Sequence, residues 1–274
     1  MEPLELDFEA PGLPAFPLPE ELAGLYGGTI GFDEPCLFAN FVQSVDGVTA
    51  IPSVPGSNKL IAAASAADRF VMGLLRACSD AVVVGSGTLE ASPRGAWSPR
   101  QAYPDAADAF AELRTRIGRT GDPELVVLTQ SGLVDTRHPA FAAGAVVLTT
   151  GAGAAQLALP ADQVVVAGAA LNGSTILAAL EARGHRLILS EGGPHAWGPL
   201  LAERLVDELF LTVSPLLTGR IGTDPRLSLV EQTDLLDGGP LGAELLGVRR
   251  GGDHLFLRYR FDTGRTRPSP RPPD

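Results

Sequence analysis

Residues 188–201 read ILSEGGPHAWGPLL. The apolar run closes a strand predicted over Arg186–Ser190, and Glu191-Gly192-Gly193 makes a turn. Pro194 suits the first position of a helix, where no N–H is needed, so a helix is predicted over His195–Leu205. A strand leaving through glycines into a helix is half of a βαβ crossover. The same plan stands upstream in LLRACSDAVVVGSGT, residues 74–88. There a helix leads into strand Ala81–Val84, which ends in the turn Gly85-Ser86-Gly87-Thr88.

Working outward, further strands are predicted at Cys36–Val42, Leu125–Thr129, Ala145–Thr149, Gln163–Ala167, Glu208–Ser214 and His254–Phe261. Helical runs lie between them. Ser65–Ala77 sets Phe70, Leu74 and Leu75 on one face, and Asp105–Ile117 does so with Phe110, Leu113 and Ile117. Ser174–Arg183 groups Ile176, Leu177 and Leu180 and stops at Gly184. Apolar strands separated by helices predict an α/β fold with a mainly parallel central sheet flanked by helices. The last two strands have no clear helix between them, which predicts an antiparallel C-terminal edge. Gly219–Gly252 is weakly periodic and reads as irregular.

Three segments follow. Residues 1–34 read as an extended lead-in, with a short helix near Glu20–Tyr26; residues 35–261 form the folded unit; residues 262–274, rich in Pro and Arg, read as a disordered tail.

Composition narrows the function. The chain has 274 residues, 45% of them hydrophobic, and a net charge of −11, which argues against nucleic acid and anionic membranes as partners. No apolar run approaches the length of a membrane span. The start, MEPLELDFEA, is acidic and lacks the basic region of a secretory signal, so a cytoplasmic protein is expected. Cys36 and Cys78 are too few for a disulfide framework or a zinc site, and both are expected buried. His138, His185, His195 and His254 lack metal-ligand spacing, so no metal is expected; His138 and His185 read as surface residues. Trp97 and Tyr103, beside prolines, read as a pocket wall or as plain packing.

In an open α/β sheet ligands bind at the carboxyl ends of the strands. The amides of Gly192 and Gly193 suit a pyrophosphate, as does the Gly85-Ser86-Gly87-Thr88 turn with its hydroxyl. Glu191 would repel a phosphate, so it reads either as facing a hydrogen-bonding heterocycle or as a helix-capping carboxylate. Gln43-Ser44-Val45-Asp46-Gly47 follows another strand; it reads as a tight turn or as a loop bringing Ser44 and Asp46 to the site. Lys59, the single lysine, offers a basic group at the same edge.

Taken together, NFVQSVDGVTA (40–50), LLRACSDAVVVGSGT (74–88), ILSEGGPHAWGPLL (188–201) and LVDELFLTVSPLLTG (205–219) resemble the reductase domain of riboflavin biosynthesis, in its stand-alone form. The resemblance implies a dihydrofolate-reductase-like fold, a homodimer, and hydride transfer from NADPH to a small heteroaromatic substrate, pyrimidine- or pterin-type. NADH and a deazaflavin are the other cofactors considered.

It also implies roles. Gln43 and Ser44 would lie against the cofactor, and Gly85, Gly87 and Thr88 near the nicotinamide half. Gly192, Gly193, Pro194, His195 and Ala196 would hold the pyrophosphate. Asp46 and Glu191 become the catalytic candidates, with Glu191, Lys59 and Asn40 toward substrate. Departures from the pattern are informative. Asn40 stands where uracil-reducing relatives carry a substrate-binding Lys, and Ser92-Pro93 where they carry Asp. Arg94 or Arg100 would have to serve a substrate phosphate. Gln130 and Ser131 stand where an Arg usually takes the cofactor's 2′-phosphate, with Arg137 as a substitute. These departures keep open a second reading, a non-catalytic ligand-binding or regulatory protein with a vestigial site.

Overall fold

Unbroken apolar runs demand cover on both faces, and the strands so composed form the centre of a sheet. The computed structural model describes residues 1–236 and 239–263, so the expected tail falls, from residue 264, outside the described residues. Along the chain run β1 (Glu5–Glu9), α1 (Glu20–Tyr26), β2 (Cys36–Ser44), α2 (Ser57–Ile61), α3 (Ala66–Cys78), β3 (Ala81–Gly85), α4 (Ser86–Glu90), α5 (Pro99–Ala102), α6 (Ala107–Arg116) and β4 (Glu124–Thr129). Then come α7 (Pro139–Ala142), β5 (Val146–Thr150), α8 (Gly151–Ala154), β6 (Val164–Gly168), α9 (Gly173–Ala182), β7 (Leu187–Ser190), α10 (Pro194–Ala202), β8 (Glu208–Ser214), β9 (Ala243–Gly251) and β10 (His254–Phe261).

These strands make one sheet in the order β1-β9-β10-β8-β2-β7-β3-β4-β5-β6. From β8 to β6 every pairing is parallel; β8/β10, β10/β9 and β9/β1 are antiparallel. All eight strands expected from sequence are present. One face packs on Leu22 of α1, Phe70, Leu74 and Leu75 of α3, and Phe110 and Leu113 of α6. The other packs on Ile176, Leu177 and Leu180 of α9 and Trp197 and Leu200 of α10. Local chemistry sets the helix ends. The Ser65 hydroxyl accepts the Asp68 amide at the start of α3, Asn172 and Thr175 form a capping box on α9, and Gly184 at φ +88° follows its end. Cys36 and Cys78 are both buried, and burial pushes the Cys78 thiol up to about 12.

Two expectations need correction. The lead-in is not an appendage to a unit that starts at residue 35. β1 extends the sheet, and Leu4, Leu22, Tyr26, Ile30 and Phe32 are buried in the first core. What holds it is a charge. Arg249 of β9 lies 3.9 Å over the Tyr26 ring, donates to the Tyr26 carbonyl at 2.9 Å and pairs with Glu9 at 2.5 Å. Gly219–Gly252 is likewise not irregular throughout, because it contains the nine residues of β9, Ala243–Gly251. Alternation there is masked by the buried arginine, by Gly247, and by a register shift opposite Arg258 and Tyr259. Trp97 and Tyr103 are core residues, Tyr103 edge-on to Phe70 at 5.6 Å.

Removing the guanidinium deletes charged hydrogen bonds worth about 1.5–3 kcal/mol as well as its stacking. Arg249→Ala is therefore expected to lower stability by about 2–4 kcal/mol in urea unfolding, and a loss below about 0.5 kcal/mol would show that the lead-in is held otherwise.

Candidate active site

In a parallel sheet the strand ends share an edge, and the sheet order decides which turns meet. β7 lies between β2 and β3, so the turns after these three strands are immediate neighbours. The turn after β7 is also bonded to β3 and its turn. The Glu191 amide donates to the Val83 carbonyl at 2.9 Å, and the Gly193 amide to the Thr88 hydroxyl at 3.1 Å. The glycines permit this approach: a Cβ on Gly192 would stand 2.9 Å from the Ala196 methyl, and one on Gly85 3.3 Å from it. Gly87 faces open space. Pro194 and His195 form the first turn of α10, whose N-terminus points its amides to this edge.

Alternation along β2 sends Asn40, Val42 and Ser44 toward the α3 face, and Phe41 and Gln43 toward the α10 face. Ser44 and Asp46 build the turn itself. The Ser44 hydroxyl donates to Asp46 at 2.6 Å and accepts the Val48 amide at 3.0 Å. Asp46 also accepts the amides of Gly219 at 2.7 Å and Thr218 at 3.2 Å, tying this turn to the chain leaving β8. The Ser44 hydroxyl and these amides hold its carboxyl at about 2. Glu191 is anchored as firmly. The Arg76 guanidinium of α3 grips both of its oxygens, at 2.9 and 2.6 Å, with both side chains under a tenth exposed.

The scan against family models decides what this edge belongs to: residues 35–255 match the RibD C-terminal domain. The chain is a member of the RibD C-terminal domain family. No curated protein matches it. Solved structures agree on the fold of this RibD C-terminal domain. A pyrimidine reductase-like protein of Corynebacterium diphtheriae, 22% identical, superposes with a TM-score of 0.63 over 89% of this chain and 95% of its own. A Thermotoga maritima diaminohydroxyphosphoribosylaminopyrimidine deaminase/5-amino-6-(5-phosphoribosylamino)uracil reductase is 19% identical, with a TM-score of 0.61. It aligns over 83% of this chain, which spans 57% of that longer one. The yeast riboflavin biosynthesis reductase Rib7 is 15% identical, with a TM-score of 0.50, over 86% of this chain and 93% of its own. The fold is α/β, a mainly parallel sheet with its antiparallel edge at the C-terminal end, shared with these reductases.

Other residues singled out in this RibD C-terminal domain lie further off. Gln130 and Ser131 are exposed after β4; the Gln130 side chain accepts the Leu171 amide at 3.0 Å and Ser131 the Leu133 amide at 3.3 Å. Arg137 pairs with Asp135 on the surface, Arg94 and Arg100 are exposed, and Lys59 is exposed on α2. His138 is buried, contrary to expectation. Its ring caps α7 by accepting the Ala140 amide at 3.2 Å and meets the Ser92 carbonyl at 3.0 Å. His185 is half-buried, 2.8 Å from Glu124.

Two residues on α3 escaped the sequence reading. One is Arg76, the partner of Glu191. The other is Asp68, which is 5% exposed. Burial pushes its carboxyl up to about 6; Glu191 adds to the rise, while a hydrogen bond with Thr212 and the charges of His254 and Arg69 oppose it. In the sequence Asp68 looks like an ordinary first-turn acid behind the Ser65 cap. The turn before it is held from both sides: Ala63 and Ala64 take positive φ of 50° and 53°, His254 meets the Ala62 carbonyl at 3.2 Å, and Arg69 donates to Ala64 at 3.0 Å.

Two outcomes follow from this geometry. Arg76→Met strands a buried carboxylate, so a loss of about 3–5 kcal/mol is expected in urea unfolding; a neutral result would mean Glu191 reaches water freely. For Asp68 the folded-state value lies above the ordinary 3.8, so its contribution is present below that value and lost as pH rises through about 6. Asp68→Asn is therefore expected to be more stable than wild type near neutral pH, by up to roughly 3 kcal/mol, with the difference vanishing below about pH 4. Paired unfolding curves at the two pH values check it.

Proposed function

We propose that this protein is an NADPH-dependent reductase that transfers hydride to a pyrimidine-, pterin- or other heteroaromatic-type substrate, as a homodimer in the cytoplasm. One observation carries the reading: the turns after the adjacent parallel strands β2, β7 and β3 open on one sheet edge, those after β7 and β3 bonded to each other, in a member of the RibD C-terminal family. A nicotinamide, when bound, supplies the hydride. The residues present suit such a cofactor. The amides opening α10 and the open space before Gly87 fit a pyrophosphate, and Gln43 on the α10 face fits the rest of the dinucleotide. The Arg76–Glu191 pair and the Thr88–Gly193 bond keep these turns in place, which is the orientation such a reaction needs.

Asp46 and Glu191 remain the catalytic candidates: the Ser44 hydroxyl and the Gly219 amide fix the Asp46 carboxylate, and the Arg76 guanidinium fixes that of Glu191, each oxygen keeping acceptor capacity for a ligand. The homodimer reading rests on the family resemblance and on Phe8, Leu245 and Leu255, which stay exposed on the face of the antiparallel edge shared with Val213 and Leu257.

The deciding experiment titrates the purified protein in parallel with NADPH, NADH and a deazaflavin by fluorescence, then screens pterins and aminouracils for cofactor oxidation. NADPH binding with turnover is expected. Binding without turnover on any ring would favour the non-catalytic reading that Asn40 and Ser92 keep open, and no binding at all would overturn the reductase reading.

A further inference from the structure

An open sheet ends in two strands, and each exposes a row of unpaired backbone groups unless something covers it. Here the end strands are β1 and β6. β6 pairs only with β5, in parallel. Among the described residues, the N–H and C=O groups of residues 165–168 that face away from β5 have no partner.

The two edges differ in chemistry. β1 carries Glu5, Asp7 and Glu9 and a register shift between Leu6 and Phe8, both devices that keep an edge single. β6 reads Val-Val-Val-Ala-Gly, with no charge and no proline. Val166 is 54% exposed. The neutrality extends beyond the strand. Residues 139–180, which supply α7, β5, α8, β6 and most of α9, hold one charged residue, Asp162, whereas 19% of the whole chain is charged. Burial does not explain this, since Ala161, Gly168, Ala169 and Ala170 around β6 are exposed. A surface depleted of charge beside an open strand edge has the composition of an interface centre and the backbone of a strand-pairing site.

Charge also selects the partner. The chain bears a net charge of −11, so a second copy is repelled over most of its surface. A two-fold axis sets a strand antiparallel to its own copy, and each residue then meets one from the same strand. On β1 this would set acids against acids. On β6 it sets valine, alanine and glycine against one another, with no like charges facing. Valine suits the ladder so formed.

We propose that β6 is a self-association edge, through which two copies of this chain pair antiparallel and join their ten-stranded sheets into one. The surface lies at the opposite end of the sheet from Phe8, Leu245 and Leu255, so it is separate from the homodimer face proposed above and does not depend on the reductase reading. β4 and β5 stand between β6 and β3, the nearest strand of the candidate site, so the pairing leaves that site open.

The test measures mass by light scattering on the full chain, as wild type, Val166→Lys and Phe8→Lys. Wild type is expected to self-associate, and a lysine on the exposed edge to weaken that association at least about tenfold, halving the mass of the assembly. An unchanged mass in Val166→Lys would overturn the proposal. So would a monomeric wild type, which would leave the edge to an extended segment of another protein. Phe8→Lys separates the two faces: an unchanged mass there removes the homodimer placement and leaves β6 standing. Should Val166→Lys not fold, hydrogen exchange of wild type decides. The outward amides of residues 165–168 are expected to exchange at least about tenfold more slowly in concentrated than in dilute protein, and equal rates would overturn the proposal.

Discussion

Four residues, Leu187–Ser190, carry hydrogen-bond ladders on both sides, to Cys36–Ala39 of β2 and to Ala81–Val83 of β3. The shortness of β7 has a consequence for the whole edge. It ends where β2 still has five residues to run, so the Glu191 turn sits recessed between its neighbours and must be secured by side chains. The Arg76 guanidinium does this from the helix layer, and Thr88 does it from the next turn. Position is thus supplied by backbone pairing in the sheet and by two side-chain contacts above it. Had β7 entered elsewhere in the order, the glycine turns would be separated by a strand's width and no single ligand would meet both.

A second constraint runs through the antiparallel half. Its core is built around arginine, which a hydrophobic interior admits only in pairs. Arg258 meets Glu208 between the rings of Phe32 and Phe210, and Arg249 meets Glu9 over Tyr26. In both cases a guanidinium on a late strand requires a partner or ring from the first forty residues or from β8. The lead-in and the last strands are therefore parts of one charged and aromatic layer.

Much of the fold was legible from sequence because parallel strands are buried on both faces and read as plain apolar runs; β3 is Ala-Val-Val-Val-Gly. β1 and β9 were not legible for the converse reason. Leu6 and Phe8 of β1 stay exposed, and β9 alternates around a buried arginine and a glycine, so neither has a clean period. At the site, the glycine turns were readable because paired glycines between an apolar run and a helix mark a strand-to-helix turn, and Gly192 leaves no room for a Cβ beside Ala196. The partners of the acids were not. Asp46 ties to Gly219 and Glu191 to Arg76 across large sequence separations, and only the topology brings them together. Asp68 was hidden by a motif that explained it too easily, and His138 by a proline that suggested a loop.

The pairing of β1 with β9 joins residues 245 apart, Glu5 to Arg250. During synthesis the first strand therefore emerges long before the strand that will receive it. Its own hydrogen-bonding edge must wait, unpaired, until almost the entire sheet has been made. Such non-local closure is slow and leaves a sticky intermediate. The run of charges Glu5, Asp7 and Glu9 alternating with Leu6 and Phe8 along that waiting strand keeps it soluble and apart from other chains in the interval.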